Sequence, residues 1–174
     1  KVLGLEGTAI ISCEMGSTLM QNGYSSDFIN RAQRFLYDPG ISIYTDALTA
    51  ADSGLINAMT DVTEGGLATA LHEMAAAADV GILIESEKVP ILSETEQICA
   101  EFGLDPFGLI ASGMLIMTAP PSNADELLSK MQSANVQCTA VGSVTKPEQG
   151  LRLSMKGKIV DLPYYAMDEL TKIL

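Results

Sequence analysis

The sequence predicts an α/β domain in which a mixed β-sheet is layered with helices. Three observations carry this. Stretches of helical apolar spacing alternate along the chain with short runs that read as strands, instead of segregating into blocks. A short extended run at 56–60 leads through Asp61-Val62-Thr63-Glu64-Gly65-Gly66 straight into a long helical stripe. And 174 residues, 47% of them apolar, suffice for one domain with a substantial core.

Taken in order, residues 8–20 carry Ala9, Ile10, Cys13, Leu19 and Met20 and predict one helix, stopped near Gly23. Ser25-Ser26-Asp27 caps a second helix through Phe28, Ile29, Ala32, Phe35 and Leu36, ended by Asp38-Pro39-Gly40. Ser42 opens a third, closed by Gly54. After the strand at 56–60, Leu67, Ala70, Leu71, Met74 and Ala78 place an apolar stripe on a helix that begins at the double glycine. Gly81–Glu85 is a buried strand; Ser93, with Glu96 three residues on, forms a capping box for a helix ending at Gly103. Met114–Thr118 is a further strand, and Asn123 caps a helix over Ala124–Ser133. Residues 137–144 and Leu151–Met155 read as strands, the turn Lys156-Gly157-Lys158 makes a hairpin with Ile159-Val160, and residues 165–173 read as a closing helix.

Composition narrows the function. A formal net charge of −12 argues against nucleic acid as a partner and repels free polyphosphate unless a metal screens it. No apolar run is long enough to span a bilayer, and no leader resembles a signal peptide. Cys13, Cys99 and Cys138 are widely spaced and odd in number, which fits buried thiols in a reducing cytoplasm. His72 is the single histidine; Ala76 stands where a zinc-protease helix needs its second, so no zinc site is expected. The nine methionines are core filler.

The glycine turn is the chemically suggestive element. Gly65, Gly66 and Leu67 at a helix start offer backbone N–H groups to an anion, with no side chains on the glycines to block access. Asp61 and Glu64 are carboxylates able to hold a divalent cation that accompanies it. Plainer readings stand beside these: the glycines permit close packing, Asp61 and Thr63 act as caps, Glu64 is a solvated first-turn carboxylate, and Ser112-Gly113 shapes the entry to a strand.

The run Ala58 to Glu73 resembles the glycine-rich signature in the C-terminal domain of the aminoimidazole ribonucleotide (AIR) synthase superfamily, nearest to its hydrogenase-maturation branch and to AIR synthase-related proteins. Asp38-Pro39-Gly40-Ile41-Ser42, Val80-Gly81-Ile82, Val89-Pro90-Ile91, the run Cys99 to Pro106, and Ala111-Ser112-Gly113-Met114-Leu115 are similar to family segments in the family's order. Gly4-Leu5-Glu6-Gly7-Thr8-Ala9 is similar to the segment that leaves the family's N-terminal domain.

The resemblance implies a PurM C-terminal-domain-like fold. It also implies that residues 1–174 are one C-terminal domain, with 1–7 a remnant of the interdomain connection and the N-terminal ATP-binding domain absent from the sequence. It implies ATP and Mg2+ as cofactors of the full-length protein, phosphoryl transfer to a small-molecule substrate, and a homodimer in the cytoplasm. The expected phosphate- or substrate-binding residues are Thr63, Gly65, Gly66, Leu67, Ser112 and Gly113, and the expected metal ligands Asp61 and Glu64. The sequence departs from the branch in three places. Glu64 stands where Arg is usual and repels phosphate where Arg would fork onto it. Ala111-Ser112 replaces an Asn-Glu pair, and the chain ends Thr171-Lys172-Ile173-Leu174 instead of in a cysteine. Thiocarbamate dehydration by this chain is therefore not expected. A noncatalytic assembly or regulatory partner is the alternative from another class; a kinase of a small phosphorylated metabolite, as in the related thiamine-monophosphate kinases, is a third reading.

Overall fold

The computed structural model describes all 174 residues. Helices α1 (Leu5–Glu14), α2 (Gly16–Gln21), α3 (Ser26–Gln33) and α4 (Tyr44–Ser53) precede strand β1 (Ala58–Val62). Then come α5 (Gly66–Ala78), β2 (Gly81–Glu85), α6 (Ser93–Phe102), β3 (Met114–Thr118), α7 (Ala124–Ser133), β4 (Gly142–Thr145), β5 (Leu151–Met155) and β6 (Lys158–Asp161). The α/β class holds, and the larger sheet is mixed: its order is β4-β2-β5-β6, with β2 and β5 parallel and the other pairs antiparallel. Strands β1 and β3 form a separate antiparallel ladder, from Ala58 opposite Thr118 to Val62 opposite Met114.

Two cores hold these layers. In the first, α5 lays Leu67, Leu71 and Ala75 against Ile82 and Ile84 of β2 and Leu153 of β5, with Val62 and Met114 from the ladder. The second joins the first three helices to α6 through Leu5, Ile11, Leu19, Ile29 and Ile98. Residues 1–7 are integral to both: Leu3 bridges Ile91 and belongs to the first core, Val2 and Leu5 to the second. A smaller cluster, Ala50, Leu127, Met131 and Val136, fastens α4 to α7. No helix is long and apolar enough to cross a membrane.

Five local expectations are corrected. The first helix breaks at Met15. The C=O of Ser12, which an unbroken helix would give to Gly16 N–H, instead receives Gln33 Nε2–H at 2.9 Å. Helix α6 begins at Ser93 itself, with Leu92 as the capping residue, so the capping box does not form; Ser93 Oγ donates to Glu94. Asn123 sends its amide to Leu55 C=O at 3.2 Å and leaves α7 without a side-chain cap. Residues 165–173 hold a single 3₁₀ turn, Glu169–Lys172, and the strand expected at 137–144 is paired only over Gly142–Thr145. Ser25 does cap its helix, receiving Phe28 N–H at 3.2 Å.

Candidate anion site at two glycine turns

The β1–β3 ladder positions the candidate residues. Val62, the last residue of β1, lies opposite Met114, the first of β3. The turn that leaves β1 (Thr63-Glu64-Gly65-Gly66) and the turn that enters β3 (Ser112-Gly113) therefore sit side by side at one end of the ladder. Residues some fifty positions apart in the sequence are brought together by antiparallel register. Val62 is fully buried, so strand alternation turns Asp61 to the opposite, exposed face; Thr63 and Glu64 are exposed too.

Both glycines of the first turn have left-handed backbone, at φ 73° for Gly65 and 62° for Gly66. Gly66 allows the start of α5 to press onto the 107–109 segment. A Cβ there would stand 2.6 Å from Phe107 O and 2.7 Å from Leu109 O. The packing role of the glycines is thus met whatever else they do. Gly113 plays the same part in the second turn: a Cβ there would meet the Ile41 backbone at 2.8 Å, so the Asp38-Pro39-Gly40-Ile41-Ser42 run abuts the site.

Two of the three amides expected to be open have partners within the chain. Gly65 N–H donates to Asp168 Oδ2 at 2.7 Å, and Gly66 N–H to Thr63 C=O at 3.1 Å. Leu67 and Ala68, both buried, have N–H groups that receive no side-chain cap and no carbonyl. In the second turn Ser112 N–H donates to Glu6 Oε2 at 3.2 Å. Each turn therefore already holds a carboxylate on a backbone amide, and at Gly65 the local electrostatics favour this, because N–H groups at a helix start attract negative charge.

Asp168 is held by a C-terminal segment that crosses α5. Pro163 C=O receives His72 Nε2–H at 3.0 Å, and the ring of Tyr164 packs edge-on against His72. Tyr165 donates its hydroxyl to Asp105, and its ring lies where a Cβ on Gly108 would be. Burial, then the Asp105 hydrogen bond and the charges of Asp105 and Glu169, push the Tyr165 hydroxyl well above its ordinary pKa. Glu169, 2% exposed, accepts Asp105 N–H at 2.9 Å and pairs with Lys172. Asp168 Oδ1 also caps the last turn by receiving Leu170 N–H at 2.9 Å. Residues 168, 169 and 6 were missed because their contacts span between 64 and 106 positions; the local cue was Asp168 and Asp105 as caps of short turns.

Asp61 and Glu64 supply hard oxygen donors of the kind Mg2+ takes, one or two carboxylates completed by water and phosphate. No group of three or more His, Cys, Asp and Glu side chains converges anywhere in the chain.

Residues 22–154 match the family described as AIR synthase related protein, C-terminal domain. A hydrogenase expression/formation protein of Methanocaldococcus jannaschii is 37% identical over 112 residues, which is 62% of this chain and 33% of that protein. The crystal structure of HypE from Escherichia coli superposes with a TM-score of 0.77 at 24% identity, over 99% of this chain and 50% of the other. A structure of the hydrogenase maturation protein HypE in complex with ATP gives 0.68 at 21% identity, over 97% and 50%. The chain thus spans about half the length of these solved proteins, and their likeness shows the fold.

Proposed function

Given that this chain belongs to the AIR synthase-related family through its C-terminal domain, we propose that it is the C-terminal half of an ATP- and Mg2+-dependent phosphoryl-transfer enzyme. The observation that carries this is the meeting of the two glycine turns at one end of the β1–β3 ladder. Crystallisation of a HypE relative with ATP supports the choice of nucleotide. In this reading Thr63, Gly65, Gly66 and Leu67 line one side of a transferred or substrate phosphate and Ser112 and Gly113 the other. The anion takes the Gly65 and Ser112 amides by replacing the carboxylates of Asp168 and Glu6. Asp61 and Glu64 face the accompanying Mg2+, and Mg·ATP supplies the phosphoryl group. The rest of the ATP site and the dimer contact belong to an N-terminal domain, and the substrate is a small molecule.

Calorimetric titration of the full-length protein with Mg·ATP, before and after Asp61→Ala, tests the assignment. The expected result is a loss of affinity of about tenfold or more, equivalent to about 1.4 kcal/mol. Unchanged binding and turnover would remove Asp61 from the site. One observation favours a second reading, a noncatalytic assembly or regulatory partner: both turns already satisfy amides with the chain's own acids. A full-length protein that binds no Mg·ATP would select it.

A further inference from the structure

Thr69, in the first turn of α5, carries a hydroxyl without a partner. Its Oγ1 is buried and makes no hydrogen bond. A helical threonine ordinarily returns this hydroxyl to the carbonyl four residues back. Here that carbonyl, Gly65 C=O, receives Thr69 N–H at 3.3 Å and not the hydroxyl. A Cβ on Gly65 would stand 2.2 Å from Thr69 Oγ1 and 3.3 Å from the Thr69 methyl carbon. The side chain is therefore folded back over the glycine turn with the hydroxyl leading and the methyl group trailing. Bond lengths then place Oγ1 within about 4 Å of Gly65 Cα. Packing alone would favour the reverse, because a hydroxyl taken out of water without a partner costs stability and a methyl group does not.

Three donors thus stand open at one turn: Leu67 N–H, Ala68 N–H and the Thr69 hydroxyl. The carboxylate now seated there uses none of them. Asp168 Oδ2 takes Gly65 N–H, and Oδ1 is tied to Leu170 N–H, so both of its oxygens are engaged. A phosphate group offers three strong acceptor oxygens and can accept from Gly65 N–H and from open donors together.

Resting on the reading of this turn as a phosphate site, we propose that Thr69 is a ligand-binding residue of that site. When Asp168 gives up the Gly65 amide, the Thr69 hydroxyl donates to an oxygen of the incoming phosphate group. It is the group by which the turn prefers phosphate to a carboxylate. Gly65 is then needed twice, for left-handed backbone at φ 73° and for the space that the hydroxyl occupies.

Titration of the full-length protein with sodium phosphate, and separately with sodium acetate, tests the proposal when followed by NMR at the Gly65, Leu67 and Ala68 amides. The parent is expected to bind phosphate about tenfold or more tighter than acetate. Thr69→Val replaces the hydroxyl by a methyl group at nearly the same volume. It is expected to weaken phosphate about tenfold and to leave acetate unchanged. In phosphate-free buffer it should melt no lower than the parent, since the hydroxyl it removes has no partner to lose. Thr69→Ser should bind phosphate as the parent does. A parent that takes no phosphate at these amides overturns the phosphate reading itself, and this proposal with it. Equal phosphate affinity in the parent and Thr69→Val overturns the role of Thr69 and leaves that reading standing. A lower melting temperature for Thr69→Val in phosphate-free buffer marks the hydroxyl as structural and likewise overturns the proposal.

Discussion

Substituting Gly66 by alanine separates two costs that the structure makes distinct. The first is backbone strain: at φ 62° an alanine loses about 1 kcal/mol. The second is steric. The new methyl group would stand 2.6 Å from Phe107 O, 2.7 Å from Leu109 O and 2.9 Å from Leu109 N, all of them backbone atoms that no rotamer change can move aside. Overpacking of this kind costs about 1–3 kcal/mol. Gly54→Ala and Gly103→Ala are matched controls, at φ 67° and 65° with nothing within 4 Å of the added carbon, so they carry the strain alone. In denaturant melts, Gly66→Ala should therefore be less stable than either control by about 1–3 kcal/mol, or about 2–12 °C in Tm for a chain of this size. Equal losses in all three variants would refute the claim that α5 is seated by direct backbone contact with the 107–109 segment.

Three further outcomes are expected. Asp168→Ala strips the acceptor from the buried Gly65 amide and from Leu170 N–H, and should cost about 1–3 kcal/mol in the same melts. Gly113→Ala, forced against the Ile41 backbone at φ 102°, should destabilise more than Gly54→Ala does. Burial, reinforced by the charges of Asp105 and Glu169, pushes the Cys99 thiol from its ordinary value of 9 up to about 12. A raised folded value means this contribution to stability is intact below pH 9 and is lost as pH climbs from 9 toward 12, by at most about 4 kcal/mol. Cys99→Ala should flatten that alkaline decline, which unfolding free energies measured across the range will show.

Much of the fold was legible because its signals are local. Gly81–Glu85, Met114–Thr118, Leu151–Met155 and Ala124–Ser133 occur at the bounds their apolar patterns predict, since each presents one face to a core. What the sequence hid are choices made by distant partners. The pattern at 165–173 would suit a helix in isolation, but Tyr165, Asp168 and Glu169 each bond to groups across the domain, and only the single 3₁₀ turn Glu169–Lys172 forms. Asn123 serves Leu55 rather than its own helix for a similar reason. At the candidate site, the double glycine and Ser112-Gly113 were readable as turns. Their adjacency depends on the register of β1 with β3, and the occupation of their amides on Asp168 and Glu6, neither of which any local pattern encodes.

The carboxylate seated on Gly65 N–H has a consequence for any ligand that comes to that turn. Such a ligand enters by exchange, one anion leaving as another arrives, so its measured affinity is a difference between two contacts and not the strength of one. A weak titration would then report a well-matched resident as readily as a poor newcomer.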